Sequence, residues 1–140
     1  MTEARHSSEL PYPPEQVWAQ IRRFDRIADY LPPVSRCEAN GDEIGAIRHL
    51  TLGEGDTVVE RLESRDEQAF RLCYAIIDGS NLPFRDYLAT MAVERRPGGS
   101  TLHWWANFTP LLEDSTPIVA MLEDLFRQGA AGVSQLCRRA

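Results

Sequence analysis

The sequence contains no lysine, so all 15 of its basic residues are arginines. Schiff-base catalysis and the phosphate-binding P-loop both depend on a lysine, and its absence excludes both mechanisms. The 21 acidic residues give a formal net charge of -6, and the arginines form no basic run. Nucleic acids and anionic membranes are bound through clusters of positive charge, so we expect neither as a partner.

Cysteine is also scarce. Cys37, Cys73 and Cys137 are odd in number and too far apart for a CxxC pair or a metal-ligand spacing. They predict buried thiols in a reducing compartment, with no metal and no cofactor. No run approaches the roughly 20 apolar residues of a spanning helix, and the first residues lack the apolar stretch of a signal peptide. We therefore expect a cytoplasmic protein without membrane insertion.

The length of 140 residues and the hydrophobic content of 43% predict a single domain over residues 1–140 with a substantial core. No repeat, low-complexity tract or linker divides the chain, but the spacing of its apolar residues changes twice. An extended segment at residues 3–10 precedes two short helices. The first begins at Pro13-Pro14, which suit the first turn of a helix, and the second covers residues 25–31 before Pro32-Pro33.

Residues 34–110 show the pattern of an antiparallel meander, with alternating stretches separated by turn residues. The pattern predicts six strands, at about 34–40, 45–53, 56–65, 68–78, 84–96 and 100–110. Beyond the N-cap candidate Ser115, apolar residues recur every three or four positions in one long helix. The predicted fold class is therefore α+β, with a curved seven-stranded antiparallel sheet wrapped around a long C-terminal helix and two short helices after the first strand.

Several short motifs occur in a fixed order along this pattern. They are Leu10-Pro11-Tyr12-Pro13-Pro14-Glu15-Gln16-Val17-Trp18, Tyr30-Leu31-Pro32, Gly45-Ala46-Ile47-Arg48, Glu60-Arg61-Leu62 and the Trp-x-x-x-Phe-x-Pro of Trp104, Phe108 and Pro110. Together they resemble the Bet v 1-like, or START-like (SRPBCC), superfamily, above all its polyketide cyclase/dehydrase and lipid-transport branch. The resemblance runs from about residue 7 to residue 136 and implies a helix-grip fold. It implies no single function, because this fold hosts carriers, receptors, cyclases and co-chaperones.

Strand alternation places two opposite charges on the inner face of the sheet. Arg48 has the same parity as the apolar Leu50, and Glu60 lies between Val58 and Leu62 on the next strand. An unpaired charge inside the sheet would cost several kcal/mol, so the two side chains either pair or line a wet cavity.

Two interpretations of Arg48 and Glu60 remain open. The first is a structural ion pair that orders the interior of the sheet. The second is a polar patch in an apolar pocket, where Arg48 holds a carbonyl, carboxylate or enolate oxygen and Glu60 moves a proton. The family resemblance implies the second, because a lyase of this superfamily that rearranges a small sulfenic acid uses an Arg and a Glu on corresponding strands. It also implies that Arg48 stands in for the lysine anchor of some ligand-receptor relatives.

The remaining candidate residues follow from the parity of the later strands and of the long helix. Inward tyrosines need hydrogen-bond partners, and small inward residues either ease close packing or leave room for a ligand. Two turn segments, residues 53–56 and 78–86, are candidate flaps over a cavity mouth. The predicted ligand-binding residues are Arg48, Leu50, Glu60, Leu62, Tyr74, Ile76, Tyr87, Ala89, Met91, Trp104, Ala106, Phe108, Leu122 and Phe126.

Three functions of different classes agree with these observations. The first is the binding of a small hydrophobic molecule, aromatic, polyketide-like or lipid-like, in an internal cavity. The second is a cofactor-free cyclase, dehydratase or lyase, with Glu60 as acid/base and Arg48 as oxyanion anchor. The third is a protein-interaction module, which no exposed apolar stripe in the pattern supports. The sequence leaves the oligomeric state open, a homodimer included.

Overall fold

The computed structural model describes residues 1–79 and 81–140. In chain order its elements are β1 (Thr2–Leu10), α1 (Pro14–Ile21), a 3₁₀ helix (Phe24–Asp29), β2 (Val34–Ala39), β3 (Ile47–Leu52), β4 (Asp56–Asp66), β5 (Arg71–Asp78), β6 (Phe84–Arg96), β7 (Gly99–Pro110) and α2 (Thr116–Arg139). No helix in these two ranges is both long and apolar enough to cross a membrane.

The seven strands form one antiparallel sheet in the order β1-β7-β6-β5-β4-β3-β2. Strands β2 to β7 follow one another as a meander, and β1 pairs with β7 at the edge. Register shifts in β2, β4 and β6 bend the strands, as β-bulges do. The curved sheet packs against α2, which buries Ile118, Leu122, Phe126, Gly129, Ala130, Val133 and Cys137. This arrangement confirms the predicted α+β helix-grip fold.

The two short helices follow their sequence cues. Pro14 occupies the first turn of α1, and the 3₁₀ helix ends shortly before Pro32. The residues that α1 buries against the core are Pro14, Val17, Trp18 and Ile21. The 3₁₀ helix contacts β2, whereas α1 contacts α2, β6 and β7.

Strand β5 begins at Arg71, about three residues later than the alternation predicts. The Asp66 carboxylate accepts hydrogen bonds from the backbone N–H groups of Gln68 and Ala69, each at 3.0 Å, and this closes a turn. Phe70 then has a φ of 56°, in the left-handed region. Its ring stacks on Trp18, with 5.6 Å between ring centroids, and packs against the buried core.

Candidate functional site

The antiparallel pairing of β3 and β4 places Arg48 directly opposite Glu60. Arg48 Nε and Nη2 contact Glu60 Oε1 at 2.8 and 2.6 Å, and the two side chains are only 3% and 7% exposed. Arg48 Nη1 donates to the backbone carbonyl of Phe24 at 2.9 Å. All three guanidinium nitrogens therefore have a protein partner, and the pair ties the 3₁₀ helix to the sheet.

The Arg48 guanidinium also lies between two aromatic rings. Its central carbon is 4.0 Å from the ring centroid of Phe24 and 4.7 Å from that of Tyr74, which are cation–π distances. Desolvation lowers the pKa of Arg48, but the attraction of Glu60 and other neighbours outweighs it and raises that pKa overall. Burial raises the pKa of Glu60, and the attraction of Arg48 only partly offsets the rise. Arg48 and Glu60 therefore form a buried ion pair in which desolvation disfavours the charged form of the Glu60 carboxyl group.

A pocket of about 410 Å³ lies beside this pair. It is bounded by the 3₁₀ helix and the residues after it, the inner face of β3 to β6, and the first half of α2, and the exposed Asn81 and Met121 mark its open side. Its lining is largely apolar and consists of Ile27, Leu31, Pro33, Val34, Leu50, Leu52, Val58, Glu60, Tyr74, Ile76, Asn81, Leu82, Pro83, Phe84, Tyr87, Met121, Leu122, Asp124, Leu125 and Gln128.

Only some of the predicted ligand-binding residues border this pocket. Those that line it are Leu50, Glu60, Tyr74, Ile76, Tyr87 and Leu122. Arg48 lies in contact with Glu60 but is absent from the lining. The others are at most 1% exposed and lie in the packed core, namely Leu62, Ala89, Met91, Trp104, Ala106, Phe108 and Phe126.

Trp104 fills the part of the interior that the pocket does not reach. Its ring stacks on Phe126 with 5.0 Å between centroids, and its Nε1 donates to Tyr74 Oη at 3.2 Å. A Cβ atom on Gly129 would lie 2.4 Å from the Trp104 ring. The glycine therefore allows close packing of the helix on the indole, and at this position it leaves no room for a ligand.

Several pocket residues were not predicted from the sequence. Ile27 and Leu31 reach the pocket from the 3₁₀ helix and the residues just after it, and their i, i+4 spacing before Pro32 could have indicated a common apolar face. Residues 81–84 of the predicted flap line the pocket, and Ser80 lies outside the described residues. None of residues 53–56, the other predicted flap, lines the pocket. The lining residues nearest to them in the sequence are Leu52 and Val58.

The ionisable groups of the lining are acidic or phenolic. Both contacts of Arg48 go to Glu60 Oε1, and no donor from residues 1–79 or 81–140 reaches Oε2. Asp124 accepts hydrogen bonds from Arg127 and from Gln128 on its own helix. Burial raises the pKa values of Tyr74 and Tyr87, which keeps both phenols neutral. Within the described ranges, no group of three His, Cys, Asp or Glu side chains is arranged to hold a metal ion.

Two plant proteins match part of the chain in sequence. The abscisic acid receptor PYL7 of Arabidopsis thaliana is 41% identical over 73 residues, which cover 49% of this chain and 35% of the receptor. MLP-like protein 423 of the same plant is 35% identical over 74 residues, covering 49% of this chain and 48% of the relative. The match therefore spans less than half the length of these curated relatives.

Two bacterial structures match nearly the whole fold. Protein XoxI from Bacillus cereus has a TM-score of 0.87 at 27% identity, covering 97% of this chain and 95% of its own. A protein from Thermobifida fusca has a TM-score of 0.87 at 29% identity, covering 99% of this chain and 95% of its own. The family described as polyketide cyclase/dehydrase and lipid transport matches residues 1–138. With that match over almost its full length, the chain belongs to the polyketide cyclase/dehydrase and lipid transport family.

Proposed function

We propose that the chain binds a small hydrophobic molecule in the pocket between the 3₁₀ helix, the sheet and α2. The observation that carries this proposal is the pocket itself, a largely apolar volume of about 410 Å³ that is open on one side. Small-molecule sites typically combine an apolar wall with a few polar groups that fix the orientation of the ligand. Glu60, Tyr74 and Tyr87 are such groups here.

The volume favours a compact ligand over a long acyl chain. Pockets for small molecules range from about 300 to 1,000 Å³, and this one lies near the lower end. The pocket does not extend further along the interior, because the Trp104 ring of β7 packs against Gly129 of α2. A molecule of one or two fused rings with one polar group therefore fits the proposal best.

The relatives support the same class of function. PYL7 is named as a receptor for abscisic acid, a small organic molecule, and the family description includes lipid transport. Neither name identifies the ligand of this chain, since the matched segment covers only 35% of PYL7. The two names support a small-molecule ligand, and the apolar lining of the pocket supports its hydrophobic character.

Two adjacent substitutions on β5 test ligand binding. Ile76 lines the pocket, whereas Ile77 is 41% exposed and is absent from the pocket lining. We expect 1-aminoanthracene to show a saturable rise in fluorescence with the unmodified chain, and Ile76→Trp to weaken its binding at least about tenfold by filling the pocket. The matched control Ile77→Trp should stay within about twofold of the original affinity. Absence of saturable binding to the unmodified chain, or equal losses in both variants, would contradict the proposal.

Cofactor-free acid/base catalysis is a second candidate, and the position of Glu60 favours it. The carboxyl group lines the pocket, and burial moves its pKa upward, toward the range of a general acid or base near neutral pH. Arg48 has each nitrogen engaged by Glu60 or by the Phe24 carbonyl. In this candidate, Arg48 therefore positions Glu60, and anchoring an oxyanion would require it to give up one of these contacts.

Hydrogen–deuterium exchange tests the second candidate directly. The probe is 2-tetralone, a bicyclic ketone with acidic C–H bonds next to its carbonyl, and NMR follows the exchange in deuterated buffer. We expect faster exchange with the unmodified chain than with Glu60→Gln, because the amide cannot accept the proton. Equal exchange rates for the two proteins, with 2-tetralone bound to both, would exclude Glu60 as the base.

A further inference from the structure

We propose that the pocket selects ligands whose polar group donates a hydrogen bond, a protonated amine or a hydroxyl, and that it discriminates against carboxylates. This inference rests on the proposed function, since it names the class of ligand that the pocket accepts. It follows from the arrangement of charge around the pocket, and it concerns the oxygen of Glu60 that Arg48 does not contact.

The first observation is the sign of the charge on the lining. Among the described residues that line the pocket, the acidic side chains are Glu60, which pairs with Arg48 at 2.6 Å, and Asp124, and none is basic. Asp124 lies on α2, where its carboxylate is already engaged by Arg127 and Gln128. Glu60 is 5% exposed and reaches the pocket from the sheet. The inner charge that a ligand meets is therefore negative.

The second observation is that the nearest cation is shielded. Arg48 lies between the rings of Phe24 and Tyr74, and each of its nitrogens contacts Glu60 or the Phe24 carbonyl. A ligand carboxylate could reach the guanidinium only by displacing Glu60, which would leave a buried carboxylate without its partner. Breaking a buried pair in this way is strongly unfavourable, and like charges placed together in a dry site repel.

The third observation is the free acceptor on Glu60. Both contacts of Arg48 use Oε1, and no donor in residues 1–79 or 81–140 lies within hydrogen-bond distance of Oε2. In the same part of the chain, no buried side-chain oxygen or nitrogen lacks a partner, so Oε2 is accessible from the pocket that Glu60 lines. A charged acceptor inside an apolar pocket binds a donor strongly, because little water competes for it.

The neighbouring tyrosine fits a hydroxyl ligand in particular. Tyr74 Oη accepts a hydrogen bond from Trp104 Nε1, which leaves its own proton for another acceptor. A ligand hydroxyl could accept from Tyr74 and donate to Glu60, whereas an ammonium group accepts nothing and can only donate, to Glu60 or to a phenol oxygen. Both head groups share the donor that Glu60 requires.

Three naphthalenes with different polar groups test the inference. They are 2-(aminomethyl)naphthalene, 2-naphthalenemethanol and 2-naphthoic acid, which carry an ammonium, a hydroxyl and a carboxylate near neutral pH on the same ring system. Their affinities are measured by displacement of 1-aminoanthracene and confirmed by calorimetry. We expect the amine and the alcohol to bind the unmodified chain at least about tenfold more tightly than the acid.

Two amide substitutions assign the selectivity to one carboxylate. Glu60→Gln keeps the shape of the side chain and removes its charge, so the preference for amine over acid should fall at least about tenfold. The matched control Asp124→Asn removes the charge at the edge of the pocket and should change the preference by less than about threefold, because Arg127 already compensates that charge. The comparison in the unmodified chain decides the inference even if Glu60→Gln does not fold.

The outcomes separate this inference from the proposed function. If the acid binds the unmodified chain as tightly as the amine and the alcohol, the charge selectivity is wrong, while ligand binding in the pocket stands. If neither 1-aminoanthracene nor any of the three naphthalenes binds, the proposed function fails. If 1-aminoanthracene binds and none of the naphthalenes displaces it, only the inference fails. A preference that Asp124→Asn removes and Glu60→Gln preserves would also overturn the inference, since it would assign the selectivity to the other carboxylate.

Discussion

Replacing Arg48 with methionine tests whether the buried pair stabilises the fold. Methionine keeps a long, flexible side chain between the rings of Phe24 and Tyr74 but removes the charge and all three hydrogen-bonding nitrogens. Glu60 then loses both contacts at 2.8 and 2.6 Å while it remains buried. Removing one partner of such a pair costs about 3–5 kcal/mol of unfolding free energy.

The loss should depend on pH in a defined direction. Burial already raises the pKa of Glu60 above its ordinary value of 4.5, and without Arg48 it rises further. A carboxyl group whose folded pKa exceeds its unfolded pKa binds its proton more tightly when folded. Its contribution to stability is therefore complete below the unfolded pKa and declines as the pH rises through the folded pKa. The variant therefore loses about 1.4 kcal/mol for each pH unit between the unfolded and the folded pKa.

Urea unfolding followed by tryptophan fluorescence measures both effects. We expect Arg48→Met to be destabilised by about 3–5 kcal/mol at pH 8 and by clearly less at pH 5. The control is the double variant Arg48→Met/Glu60→Gln, which has no titrating group at position 60 and should lose this part of the pH dependence. A loss of under ~1 kcal/mol at pH 8 with no pH dependence would refute the view that the pair is buried and coupled.

Two further predictions concern packing and surface charge. Gly129→Ala should lower the melting temperature, because overpacking against Trp104 costs about 1–3 kcal/mol and exceeds the helix propensity gained. Gly132→Ala should lower the melting temperature more, since its Cβ would lie 1.9 Å from a backbone carbonyl oxygen. A melting temperature that stays level or rises would contradict this. Arg22 lowers the pKa of Glu67 to about 2, so Glu67→Gln should cost less than ~1 kcal/mol at pH 7 for this half-exposed carboxylate. The cost should shrink as the pH falls from about 5 to about 2, because the unfolded chain takes up a proton at Glu67 before the folded chain does. A constant difference in urea midpoints over this range would contradict the prediction.

Strand parity and one short turn account for the part of the site that the sequence predicted. Side chains alternate with a period of two, so Arg48 and Glu60 each share a face with apolar neighbours. The turn at residues 53–56 fixes the register, because pairing Leu52 with Asp56 also brings position 48 opposite position 60. The contact between the two charges therefore follows from local pattern and loop length alone.

Alternation misplaces the beginning of β5. The alternation predicts a strand from about residue 68, but the Asp66 turn places Phe70 in the left-handed region and β5 begins only at Arg71. The competing interaction is a side-chain to backbone hydrogen bond, which periodicity does not register.

The extent of the pocket also could not be predicted, because it depends on contacts between distant elements. The alternating pattern of Trp104, Ala106 and Phe108 is the same whether these side chains line a cavity or fill a packed core. The outcome is decided by Gly129 on α2, which lets the helix approach the indole. The pocket volume depends on contacts between residues far apart in the chain, such as Gly129 and Trp104, and a single sequence does not show which side chains are in contact.

Tyr74 connects the packed core, the ion pair and the pocket. Its hydroxyl accepts from Trp104, its ring lies 4.7 Å from the Arg48 guanidinium, and it also lines the pocket beside Glu60. On the proposed function, a ligand that donates to Glu60 would therefore press against the same ring that helps to hold the cation in place. A ligand that binds only the folded chain stabilises it. Stability and ligand selectivity would then depend on one carboxylate, with Oε1 holding the fold together and Oε2 meeting the ligand.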